Sequence, residues 1–226
     1  MQRYNIYKHV NKGIRALLFE TSLQIQQCDF VDKAQGNEVL QKVKDALLVI
    51  ERCNNLQSQY IFTLTRQYQS ALTSTLEKEN ERITRFMTEI KEQCAAWSTA
   101  SGADDAIERG RNLLNTFNRF VLFNLEHLPR KEESMNHVLC TEFTDREIFR
   151  LKRMIVGQMQ QQEILALGKW IVRGVNNTEL TDWLKEMQKY VSTEIFRSLC
   201  FIVERELPLT RFIAVTDALA EGSLLS

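Results

Sequence analysis

Carboxamides and one histidine stand at positions where four hydrophobic seams would otherwise run on unbroken. Reading the chain in steps of three and four puts Asn11 four after Tyr7 and three before Ile14. Asn80 likewise falls four after Leu76 and three before Ile83. Asn54 and Gln57 interrupt a further seam, and Asn124 with His127 another. A neutral amide buried without a partner costs about 1–3 kcal/mol. Such groups persist in a core when they satisfy one another, hold water or surround something. Two readings follow. Either Asn11, Arg15, Asn54, Gln57, Asn80, Asn124 and His127 form a hydrogen-bonded layer completed by a carboxylate, or the helix phase drifts and some of them face solvent.

Covalent chemistry has little to work with. The chain holds no G-x-S-x-G, no glycine loop for a phosphate and no H-E-x-x-H. Cys140 lies thirteen residues beyond His127 and beside Leu139, which reads as a packed thiol rather than a nucleophile. The expectation is a protein that is not an enzyme.

The elements that carry these residues are helices. Among 226 residues only 8 are glycine and 2 proline, too few for the turns of a β-sandwich or the loops of a dinucleotide fold. Apolar periodicity predicts helices over residues 3–29, 38–66, 69–99 and 104–137, with 28–37 as a connector. The first seam is Tyr7, Asn11, Ile14, Leu18 and Ile25; the fourth includes Leu114, Phe117, Phe120 and Val121. Shorter helices follow: one opened by the capping box Thr144-Asp145-Arg146-Glu147 and reaching about 162, then 161–175, then one started by Asn176. Ser192-Thr193 caps another that reaches Glu206, Pro208 suits the start of a last one, and 221–223 is expected to fray.

Charge and cysteine usage bound the setting. Lys+Arg and Asp+Glu balance at 29 each, so no nucleic-acid partner is expected. No apolar run approaches the ~20 residues of a membrane span. The start Met1-Gln2-Arg3-Tyr4-Asn5 lacks the apolar stretch of a leader. Five widely spaced cysteines suit buried thiols in a reducing cytoplasm better than disulfides or zinc.

Four stretches resemble one family, the hemerythrin-like proteins, and within it the bacterial group with a helical C-terminal extension. Val10-Asn11-Lys12-Gly13-Ile14-Arg15 with the leucine-rich run after it is similar to a family segment I-H-K-x-L-R. Phe123-Asn124-Leu125-Glu126-His127-Leu128 resembles N-L-x-H-M, and Thr144-Asp145-Arg146-Glu147 resembles the T-D-x-E that opens the next helix. Trp170-Ile171-Val172-Arg173-Gly174-Val175-Asn176 resembles W-M-x-R-G-x-N. The resemblance implies an all-α protein: an antiparallel four-helix bundle over residues 1–140, and a helical extension over 141–226 packed on it.

In that family the bundle holds two irons on inward-facing histidines and carboxylates. Here the resemblance breaks down at the ligands. Asn11 stands where the first helix would carry histidine, Cys53-Asn54-Asn55-Leu56-Gln57 where the second would carry H-x-x-H-E, and Asn80 where the third would. His127 remains, but the carboxylate expected four residues on is Lys131, with Glu132 the nearest replacement. The chain has 3 histidines in all; His9 lies about 200° round the helix from Asn11, and His137 reads as a surface residue. An ammonium at Lys131 would repel a metal and is expected to pair with Glu79 or Glu132.

No metal cofactor is therefore expected, and the function implied is non-catalytic binding or regulation through an unidentified protein or small molecule. The alternative is a retained iron site on His127, Glu132, Glu79 and Glu81 that binds or senses oxygen or nitric oxide. Phe117, Phe120, Phe123, Trp170, Trp183, Tyr190, Phe196 and Phe201 read mostly as core. The amphipathic 179–190 segment suits either the bundle or a second subunit, so a homodimer is possible.

Overall fold

The structure, a computed structural model, describes residues 3–223. Every regular element among them is helical. They are α1 (Lys8–Gln27), α2 (Lys33–Leu56), a π-helical turn (Gln57–Phe62), α3 (Thr63–Thr65), α4 (Ser70–Ser98) and α5 (Ala103–Glu142). The shorter helices are α6 (Asp145–Gly157), α7 (Gln161–Gly174), α8 (Asn177–Tyr190), α9 (Thr193–Glu206) and α10 (Leu209–Ser223). Met1 and Gln2, at the start where no leader is expected, lie outside the described residues. Among the described residues no helix is long and apolar enough to cross a membrane.

Helix ends depart from the sequence expectation for local reasons. The first helix starts at Lys8, not 3, because the Asn5 side chain accepts from the N–H groups of Tyr7 (2.9 Å) and Lys8 (3.2 Å). The second starts at Lys33, inside the expected connector, because Asp32 accepts from Ala34 N and Gln35 N. Gly36 is no obstacle to it: a Cβ there would collide with the Trp97 ring, so the glycine is where α2 makes room for the indole. Residues 57–62 widen into a π turn, which brings Gln57, Ile61 and Phe62 inward together. The helix expected to reach about 162 ends at Gly157, and α7 starts afresh where the Glu163 carboxylate accepts from Gln160 N at 2.8 Å.

The chain forms two compact units: Leu17–Val138, and Met1–Ala16 with Leu139–Ser226. In the first, α4 runs antiparallel to both α2 and α5. Ser58 meets Asn80 and Glu51 meets Lys91 on one side; Glu79 meets His127 and Glu89 meets Arg119 on the other. Its core comprises Val43, Leu47, Ile50, Ile83, Ile90, Trp97, Leu113, Phe117 and Phe120, all at most 1% exposed. The seam in α5 thus runs through Leu113, and Leu114 is half-buried. Arg109 closes the C-terminal end of α4, donating to Ala96 O and to Thr99 Oγ1 (3.0 Å) while Asp105 holds it from the other side (2.6 Å).

The second unit gathers the first turns of α1 with α6–α10. The capping box at Thr144 is present, and a second joins Asn176 and Glu179. Four residues of the Trp170–Asn176 stretch make identifiable contacts here. Arg173 pairs with Glu206 (2.7 Å) and lies over the Trp170 ring, Asn176 caps α8, and Gly174 lies against the α1 backbone. A Cβ on Gly174 would come within 2.5 Å of Lys12 O, so only glycine allows that approach. Helix α8 buries Leu180, Trp183, Leu184 and Met187 inside its own unit. Phe201, expected in the core, is 56% exposed beneath the Arg205 guanidinium, and Leu209 and Ile213 are exposed too. Of the thiols expected to be buried, Cys53 and Cys94 are, whereas Cys28, Cys140 and Cys200 are half-buried.

Candidate functional site

The sequence-predicted polar residues divide between the units. Asn54, Gln57, Asn80, Asn124 and His127 belong to Leu17–Val138, with Lys131; Asn11 and Arg15 belong to the other unit. Asn11 is fully buried and Arg15 half-buried.

His127 is fully buried, its ring stacked on Phe123 with the planes 8° apart. Its Nδ1 lies 2.7 Å from Glu79 Oε2. A carboxylate only accepts, so Nδ1 carries the proton and Nε2 presents its lone pair inward. That Nε2 has no hydrogen-bond partner among the described residues. Burial, reinforced by the charge of Lys131, pushes His127 down to about 4 against the pull of Glu79, so the imidazole is neutral near pH 7. Arg130 reaches the other oxygen of Glu79 at 3.3 Å, so the carboxylate is held by two side chains one turn apart on α5.

Lys131, one turn beyond His127, is fully buried as well. Its Nζ donates to Asn54 Oδ1 at 3.4 Å. No carboxylate among the described residues comes within ion-pair distance of it; the expected pairing with Glu79 or Glu132 is not formed, because Arg130 and His127 occupy Glu79. Burial lowers Lys131 to about 8, with Cys53 and Glu79 acting against the shift. The remaining amides do not form one continuous layer. Asn80 is half-buried and donates to Ser58 Oγ (3.1 Å), and Asn124 donates back to Phe120 O on its own helix (2.8 Å). Gln57 is buried at the mouth of the π turn, and its Oε1 has no partner among the described residues.

Tested against a di-iron centre, this set does not fit. Among the described residues no three His, Cys, Asp or Glu side chains are grouped to hold a metal ion. Of the four residues that would have to carry one, His127 and Glu79 are bonded to each other, Glu81 is exposed, and Glu132 is half-buried. The buried ammonium of Lys131 adds positive charge where a metal would need negative.

The other unit contains a polar cluster that sequence reasoning missed. Lys152 on α6 is 6% exposed and bonded to Glu186 of α8 and to the Tyr4 hydroxyl (2.6 Å). Tyr4 in turn donates to Glu186 at 3.2 Å, and burial beside that carboxylate raises its phenol. Glu179 receives Lys12 at 2.7 Å and Lys8 at 3.2 Å. His9, 7% exposed, faces Lys152, Lys8 and Lys12 as well as Glu179; burial first and those lysines second lower it to about 4. The sequence did carry a signal: Lys152 falls four after Ile148, inside the apolar stripe of α6.

No protein-family model matches the chain, and neither does any curated protein or solved structure.

Proposed function

We propose that the chain is a non-catalytic binding or regulatory protein of the hemerythrin-like type, an antiparallel four-helix bundle with a helical extension whose interior works without iron. The observation that carries this reading is the fully buried Lys131, whose ammonium stands one turn from His127 where a cation-binding bundle would present an anionic ligand. The antiparallel course of α2, α4 and α5, and the glycine contact that docks α7 on α1, support the architecture. A reducing cytoplasm suits the five cysteines, and the partner on this reading is a protein or small molecule rather than nucleic acid or membrane. The exposed Phe201, Leu209 and Ile213 support a homodimer through the extension.

The test is elemental analysis of natively purified protein beside its visible spectrum. The expected outcome is iron far below one per chain and no oxo-iron charge-transfer band. About two irons per chain, the stoichiometry of a dinuclear bundle site, would restore the oxygen- or nitric-oxide-binding alternative.

A further inference from the structure

Lysine is almost never fully buried unless it is paired, because removing an ammonium from water costs several kcal/mol. Lys131 is fully buried and has one long bond to an amide oxygen. Two of its three N–H donors have no hydrogen-bond acceptor among the described residues. Around it, on the other elements, lie groups of opposite need. The Glu79 carboxylate and the Cys53 sulfur are within electrostatic reach. His127 Nε2, on the same face of α5, turns an unused lone pair inward, and Asn54 already contributes its oxygen. A buried cation with one bonded acceptor, and a second buried acceptor left unpaired one turn away, describe an ion position whose ion arrives on a side chain.

We propose that the Lys131 ammonium is a tethered cation: it occupies a buried cation position bonded to Asn54 Oδ1 and one turn along α5 from the unpaired His127 Nε2, and that position accepts a free primary ammonium ion when the tether is removed. This deepens the reading above and rests on it, since an interior filled by its own cation has no need of iron. The ligand class is set by the chemistry. A primary ammonium offers three donors and one charge in a tetrahedral head, which a guanidinium or a quaternary ammonium does not. Asn54 supplies a neutral acceptor and His127 Nε2 a second, unused one nearby, and they offset only part of what burial of the charge costs.

The experiment is chemical rescue. Lys131→Ala keeps Cβ and removes three methylenes and the nitrogen, the atoms of n-propylamine one for one. Thermal melts of Lys131→Ala are followed at neutral pH, in chelator, against rising n-propylammonium chloride, with n-propanol as the isosteric uncharged control and sodium chloride as the ionic-strength control. The expected result is a variant that melts below the parent and regains most of the lost melting temperature with n-propylammonium, saturably, while n-propanol and sodium chloride leave it low. The parent protein is expected to be indifferent to all three. Should Lys131→Ala be isolated unfolded, it is refolded from urea with and without n-propylammonium, and recovery of helical circular dichroism only with the amine is the supporting outcome. Equal or better rescue by n-propanol would show that Lys131 merely fills apolar space and would overturn the proposal, as would no rescue by either. Amine rescue together with iron in the parent would sink the metal-free reading alone; an iron-free parent without rescue would sink only the tethered cation.

Discussion

Two buried lysines face opposite circumstances in the two units. Lys152 lies against a carboxylate and a phenol, and its charge is neutralised at contact distance. Lys131 is buried more completely and has only an amide oxygen. The pattern repeats in the histidines. His9 sits among three lysines and one glutamate, whereas His127 is oriented by the single carboxylate Glu79. The first cluster is a neutralised clamp holding the start of the chain to α6 and α8. The second keeps a positive charge with no carboxylate at contact distance and an unused lone pair in the interior.

The sharpest way to break this comparison is to strand the paired lysine. Glu186→Gln leaves Lys152 buried with no anionic partner and is expected to cost about 3–5 kcal/mol in urea unfolding. A loss below about 1 kcal/mol would mean that the clamp is solvated and that the two lysines do not differ in kind.

Acid titration comes next. Unfolded, an imidazole takes up its proton near its ordinary 6.5; folded, His9 and His127 do so only near about 4. As pH falls between these values the unfolded chain binds more protons, so stability drops by about 1.4 kcal/mol per pH unit for each histidine, and this contribution flattens below 4. His9→Gln and His127→Gln should each remove one share of that slope from urea melts taken across the window. Lys131 acts at the other end: it loses its proton near 8 when folded but near 10.5 when unfolded, so its contribution makes stability rise with pH across that interval.

The smallest effect is expected from the unpaired lysine itself. Lys131→Met keeps the volume, leaves no carboxylate stranded at contact distance and deprives Asn54 Oδ1 of a donor. It should cost about 1–2 kcal/mol and abolish the alkaline rise in stability. A cost as large as that of Glu186→Gln would show that Glu79 compensates Lys131 more strongly than its distance suggests.

Much of the architecture was readable because it is local. Thr144 with Glu147, Asn176 with Glu179, and Ser192 mark helix starts through bonds spanning three residues, and all three are where the spacing placed them. The seam residues Tyr7, Ile14, Leu18 and Ile25 are all at most 1% exposed, since a 3.6-residue period puts the last three on one side of α1 and Tyr7 immediately precedes it. The candidate site was only half legible. That His127 and Asn124 turn inward followed from register, but which carboxylate would meet His127 did not. Glu79 and Glu81 are two apart on α4, and packing sets one, half-buried, against α5 and leaves the other exposed.

The amino-acid sequence by itself determined the helices and most of their starts, because period and caps act within a few residues along the chain. Tertiary structure alone decided that Lys131 would be buried without a counter-charge, that Arg130 rather than Lys131 would take Glu79, and that Tyr4, Lys152 and Glu186 would meet across 182 residues. Those outcomes depend on which helix faces oppose one another. That is a property of long-range packing, and no spacing along one helix encodes it.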